Sequence, residues 1–315
     1  MSGNMELKVA LPGEVQAASR DAVEGEMNSA VRLIGVIMAG LVAMAVLLGT
    51  WRALAGPQVG KTAVVDGLYL AQTLLASTLI LLGSTVEGYG YGLSLGTRWP
   101  YTRNILLLML RGDPEAAHRV VATLVGLVAL ALAILAPGWA TYSGLGLVIA
   151  TALFGMGTLY VLAGRAPALV HGTHGLLAYG VLLVYLAGLA FPTMNCWTYL
   201  RVTSALHPLL LTVFLGGMTT GQRGFGQPIG AFYRPRRTAH WMVVCHVLAA
   251  LSVVATLGWL MPAYPVAFYI ALAQISVGFL LFQAVNLAPK NPGAIVPFHQ
   301  FAVLLITYAI VLQWH

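Results

Sequence analysis

The sequence predicts an all-α polytopic membrane protein: two pseudo-symmetric four-helix bundle repeats, preceded by one extra transmembrane helix. Three observations carry this. Of the 315 residues, 59% are hydrophobic and 8% are charged, with a mean hydropathy of +0.85, a composition that belongs to chains surrounded by lipid. Nine apolar runs are long enough to cross a bilayer, and only helices satisfy their own backbone there. The last eight runs divide into two sets of four that resemble each other.

In chain order the runs fall near 33–50, 66–86, 117–136, 144–163, 174–191, 205–219, 241–261, 265–285 and 298–313. Pro57, Pro137-Gly138, Pro167, Pro192, Pro262, Pro289 and Pro292-Gly293 punctuate the joints, since proline removes a helix donor. Residues 1–32 are polar, with Glu6, Glu14, Asp21, Glu24 and Glu26 and no apolar core ahead of a cleavage site, so no signal peptide is expected. The expected divisions are this tail, 33–65 for the extra helix and its linker, 66–192 for the first repeat and 193–315 for the second.

Each repeat has the same punctuation. Leu82-Gly83-Ser84-Thr85 leads into a loop through Gly88, Gly90 and Gly92, then Arg98-Trp99-Pro100. Leu215-Gly216-Gly217-Met218-Thr219 leads into a loop through Gly221, Gly224 and Gly226, then Tyr233-Arg234-Pro235. A span opening on histidine follows in both. Gly155-x-Gly157-Thr158 with Pro167 and His174 then corresponds to Gln274-x-x-x-Gly278 with Pro289 and His299. Such an internal repeat pairs His118 with His246 and His174 with His299.

Those four histidines, out of eight, are the candidate ligands. Ala122, Ala178 and Ala250 follow three of them by four residues, and Ala302 follows His299 by three. A small residue one turn on leaves room for a flat macrocycle or a close neighbouring helix. Facing imidazoles inside a four-helix unit suit bis-histidine ligation of heme iron. His240 competes with His246, and His171 competes with His174. His207, before Pro208, reads as structural, and His315 as solvated.

The net charge of +7 sits around apolar spans, which fits lipid head groups and excludes a nucleic-acid partner. Arg98 and Arg119 in one repeat, and Arg234 and Arg237 in the other, are candidate partners for heme propionates, because guanidinium forks match carboxylates. Tyr89, Tyr91, Trp99, Tyr101 and Trp241 fit an interfacial belt. Cys196 and Cys245 make no ligand spacing. Glu115 stands three residues before His118, where the other repeat has Val243. That asymmetry makes one half the candidate reactive site, with Glu115 as its catalytic carboxylate.

Glu115-x-x-His118-Arg119, the Leu-Gly segment ending in Trp99-Pro100, Gly155-x-x-Thr158…Pro167…His174, and Gln274-x-x-x-Gly278…Pro289…His299-Gln300 resemble the heme A synthase family, over roughly residues 66–313. The resemblance implies an eight-helix bundle that oxidises a methyl group of heme O to the formyl of heme A for cytochrome oxidase assembly. It implies substrate heme near Glu115, His118 and His174, and a heme b on His246 and His299. Heme O synthase or respiratory-complex subunits are the expected protein partners. The expected location is the plasma or inner membrane of a prokaryote. Three departures stand out: no cysteine pair follows the second span, Glu87 replaces an arginine, and Thr151 stands where glutamine would match Gln274. The alternative is a non-catalytic di-heme b-type cytochrome, an electron-transfer subunit of a respiratory complex. A transporter is disfavoured, since no pair of broken helices faces a midplane site. The resemblance puts the histidine end outside the cytoplasm, whereas the excess of Arg and Lys at that end predicts the reverse.

Overall fold

A computed structural model describes residues 62–100, 102–191 and 195–313, together with Leu33. The polar tail, the rest of the extra first span, Tyr101, Pro192 and His315 lie outside the described residues. All the regular structure described is helical.

Ten α-helices follow: α1 (Ala63–Gly88), α2 (Ile105–Leu110), α3 (Pro114–Leu135), α4 (Trp139–Leu162), α5 (Leu169–Ala190), α6 (Cys196–Val202), α7 (His207–Arg223), α8 (Thr238–Trp259), α9 (Pro265–Leu287) and α10 (Ile295–Gln313). Seven of them are long and apolar enough to cross a membrane, and α6 with α7, bent by 51° at the break between them, makes an eighth if the pair is one span. The chain is an integral membrane protein. Long apolar helices that turn residues such as Leu248, Leu251, Phe279 and Leu280 to the outside fit a lipid surround.

Several helices start earlier than their apolar runs, because the first turn is built from capping residues. Thr62 Oγ1 accepts from Val65 N at 3.3 Å at the start of α1. Asp113 accepts from Ala116 N at 2.9 Å, with Pro114 in the first turn of α3. These side chains satisfy amides that the helix leaves free. The candidate histidines are therefore inside their helices and do not open them, and His246 lies two turns into α8. Helix α2 is also unanticipated. Its six residues are too short to span, and Leu106, Leu107 and Leu110 are exposed at the end of the bundle.

Helices α1, α5 and α10 hold the centre. Residues 181–190 of α5 are buried without interruption, while α8 and α9 present Leu248, Leu251, Phe279 and Leu280 outward. Polar links tie the centre where lipid offers no competing partner. Ser77 Oγ meets Tyr308 Oη at 2.9 Å, and Tyr179 Oη donates to Gln300 Oε1 at 3.1 Å. Gln72 Nε2 donates to the Val125 carbonyl at 3.1 Å. Exposed aromatics mark both ends: Trp99, Tyr233 and Trp241 at the histidine end, Tyr142, Trp197 and Trp259 at the other.

Helices α5 and α7 approach closely through glycine. A Cβ on Gly217 would stand 2.8 Å from the Gly172 Cα, whereas one on Gly126 would meet nothing within 4 Å. Gly217→Ala is therefore expected to lower stability by about 1–3 kcal/mol, as overpacking against backbone does. Gly126→Ala should change it little. Reversible unfolding in mixed micelles measures both, and equal stabilities would show that α5 and α7 do not meet at this glycine pair.

Candidate functional site

Each of the four histidines rests on a glycine of the preceding long helix. A Cβ placed on Gly83 would meet His118 Cε1 at 3.2 Å; on Gly155, His174 Cε1 at 3.1 Å; on Gly216, His246 Cε1 at 3.2 Å; on Gly278, His299 Cε1 at 3.6 Å. The missing side chain lets an imidazole lie against the helix. From there Nδ1 reaches the residue four before the glycine. His174 Nδ1 is 3.0 Å from the Thr151 carbonyl, and His246 Nδ1 is 3.0 Å from the Thr212 carbonyl. At His118 the residue four before the glycine is Leu79, and Nδ1 is buried without a hydrogen-bond partner among the described residues. At the fourth seat Gln274 supplies the contact through its side chain, its Nε2 lying 2.8 Å from His299 Nδ1.

A carbonyl only accepts, so at His174 and His246 the Nδ1 carries the proton and Nε2 keeps its lone pair. That arrangement orients a histidine for metal ligation. The His246 and His299 rings have centroids 6.5 Å apart, inclined at 47°. Two imidazoles bound at about 2 Å on either side of one metal ion put their centroids roughly 6 Å apart. His118 and His174 lie within electrostatic range of each other. Among the described residues, no group of three or more His, Cys, Asp and Glu side chains converges as a metal site.

The competing histidines are placed differently. His240 is buried, stacked on Phe232 at 4.3 Å, and both its nitrogens are engaged. Nδ1 accepts from Arg236 N at 3.2 Å, and Nε2 lies 3.3 Å from Arg237 Nε and 3.2 Å from the Ile229 carbonyl. It is occupied in holding the loop before α8. His171 turns towards α7, where a Cβ on Gly221 would meet its own Cβ at 3.2 Å. Its Nδ1 is buried without a partner among the described residues. His171 and His174 thus seat on different helices, although they are one turn apart.

Glu115 is 4% exposed and its carboxylate is fully engaged. Oε1 takes Arg119 Nη2 at 2.5 Å, and Oε2 accepts from Ser94 Oγ at 2.9 Å and Leu95 N at 3.1 Å. Arg119 also donates to the Arg98 and Pro100 carbonyls. Glu115, the candidate catalytic carboxylate, and Arg119, a candidate propionate partner, together form one buried clamp that pins the loop after α1. The i, i+4 spacing was the available signal. Arg237 is likewise tied to Ile229 O and His240. The Arg98 and Arg234 side chains are exposed at the histidine end. Glu87 pairs with Arg223 of α7, which also donates to the Gln227 carbonyl at 2.7 Å and the Pro289 carbonyl at 3.3 Å. The carboxylate that departs from the family pattern thus has a partner 136 residues away.

The glycine seats went unrecognised in the sequence, where the alanines after each histidine drew the attention. Ala122, Ala178 and Ala250 keep part of their surface accessible, and Ala302 is buried. No protein-family model matches the chain, and neither a curated protein nor a solved structure is detectably similar to it.

Proposed function

We propose that the chain is a membrane heme protein with two pseudo-symmetric halves, each holding an iron porphyrin between paired histidines, and that it acts as a heme A synthase-like oxidoreductase. The observation that carries the heme reading is the His246–His299 pair, with ring centroids 6.5 Å apart. The chemistry of the donor set fits: neutral imidazoles in an apolar bundle suit a b-type heme. Such a group supplies the electron and oxygen chemistry. The chain's part is to fix the rings, exclude water and present cations to the carboxylates, for which Arg98 and Arg234 are exposed at the histidine end. His118 and His174 would hold the substrate heme O, while the second pair holds heme b. The oxidation of a methyl to a formyl rests on the motif resemblance and on the carboxylate found in one half only.

One observation favours a second reading, a di-heme electron carrier without the reaction. Glu115 already has three hydrogen-bonding partners, which is sufficient reason for its presence. Expression beside a heme O-producing enzyme decides between the two. The purified protein is expected to give a b-type reduced-minus-oxidised spectrum, and chromatography of extracted hemes to reveal heme A. A spectrum without heme A establishes the carrier reading; no spectrum at all ends both.

A further inference from the structure

The fourth histidine seat is built differently from the other three, and the difference bears on ligation. At His174 and His246 a backbone carbonyl faces Nδ1 at 3.0 Å, which fixes the proton there. The side chains of Thr151 and Thr212 turn back to their own helix, donating to the Leu147 and Pro208 carbonyls at 2.7 and 2.8 Å. At His299 the side chain of Gln274 comes between. Its Nε2 lies 2.9 Å from the His299 carbonyl and 2.8 Å from His299 Nδ1. The carbonyl can only accept, so the amide end facing it must be the NH2; inverted, the amide would set two oxygens against each other. The second amide hydrogen then points at Nδ1, which accepts, and the imidazole proton is left on Nε2. The other end of the amide, Oε1, is buried with no partner among the described residues.

We infer that Gln274 is a two-position latch that sets which nitrogen of His299 carries the proton. In the position described it holds Nε2–H, so that nitrogen has no lone pair to give. Inverting the amide, with a rotation that carries Oε1 away from the His299 carbonyl, gives up the amide hydrogen bond to that carbonyl, presents Oε1 to Nδ1–H and frees Nε2 as a ligand. Gln274 is thus a positioning residue for the second pair, acting through His299. The inference rests on the heme reading for its purpose, but the tautomer itself does not depend on heme.

Gln274→Thr recreates the Thr151 and Thr212 seats and leaves the backbone carbonyl of residue 274 as the only acceptor. Gln274→Leu, the counterpart of Leu79, serves if the threonine variant folds poorly. In heme-free full-length protein labelled with 15N-histidine, the imidazole shifts should show His299 as the Nε2–H tautomer and His246 as Nδ1–H. His299→Asn assigns the signal. In Gln274→Thr, His299 should change to Nδ1–H. Titration with hemin should then be about five- to tenfold tighter than wild type, the equivalent of the one amide hydrogen bond the wild type surrenders on inversion. A wild-type His299 already protonated at Nδ1, or a tautomer unaltered by the substitution, overturns the latch. If the tautomer changes while neither protein takes up hemin, the latch stands and the heme reading fails. If both bind hemin equally tightly, inversion is not linked to ligation and that part is overturned.

Discussion

His246→Ala is expected to remove most of the b-type spectrum of the second pair, whereas His240→Ala should leave it in place. The alanine takes away one of two rings whose centroids stand 6.5 Å apart, and among the described residues no other imidazole is seated to replace it. His240 lies six residues nearer the start of α8, with both nitrogens bound and its face on Phe232. Its loss should appear as lower stability, about 1–3 kcal/mol for the broken hydrogen bonds and the stack. Difference spectroscopy at equal protein concentration separates the two variants. If His240→Ala strips the spectrum and His246→Ala keeps it, the histidine pairing described above is wrong.

The second large effect concerns Glu115. On the proposed heme A synthase-like activity, Glu115→Gln is expected to stop the conversion of heme O to heme A in cells while the spectrum proposed for the second pair persists. A positioned acid or base contributes about a hundredfold or more, roughly 2.7 kcal/mol of barrier. The buried clamp adds a separate cost, because a neutral amide leaves Arg119 buried and unpaired, at about 3–5 kcal/mol. The two effects can be told apart. Ser94→Ala keeps the carboxylate and loses one of its hydrogen bonds, and Glu115→Gln with Arg119→Met removes the orphaned charge. If the double variant regains stability yet makes no heme A, the carboxylate is needed for the reaction. Recovery of heme A in the double variant reduces Glu115 to an anchor for the loop after α1.

The helices and the four histidines were legible because both are written locally: an apolar run announces a span, and a histidine within it is conspicuous. Helix starts were displaced because Thr62 and Asp113 are polar and fall outside any apolar window, although capping is what begins a helix. The seats could not be read from one segment, because Gly83 matters only when α1 lies against α3 and Gly278 only when α9 lies against α10. Glu87 seemed an anomaly for the same reason, its partner Arg223 being on another helix. Arg119 is the opposite case, since its partner Glu115 stands four residues away on the same helix face.

The seats also bear on how quickly and tightly anything is taken up between the rings. A histidine free to rotate must be immobilised as it binds, which costs about 0.5–1.5 kcal/mol for each side chain. An imidazole leaning on a glycine and tethered through Nδ1 has lost that freedom during folding. For His246 and its partner together this amounts to roughly 1–3 kcal/mol, or about a 5- to 150-fold difference in dissociation constant. Nearly all of it would be felt in the rate of release.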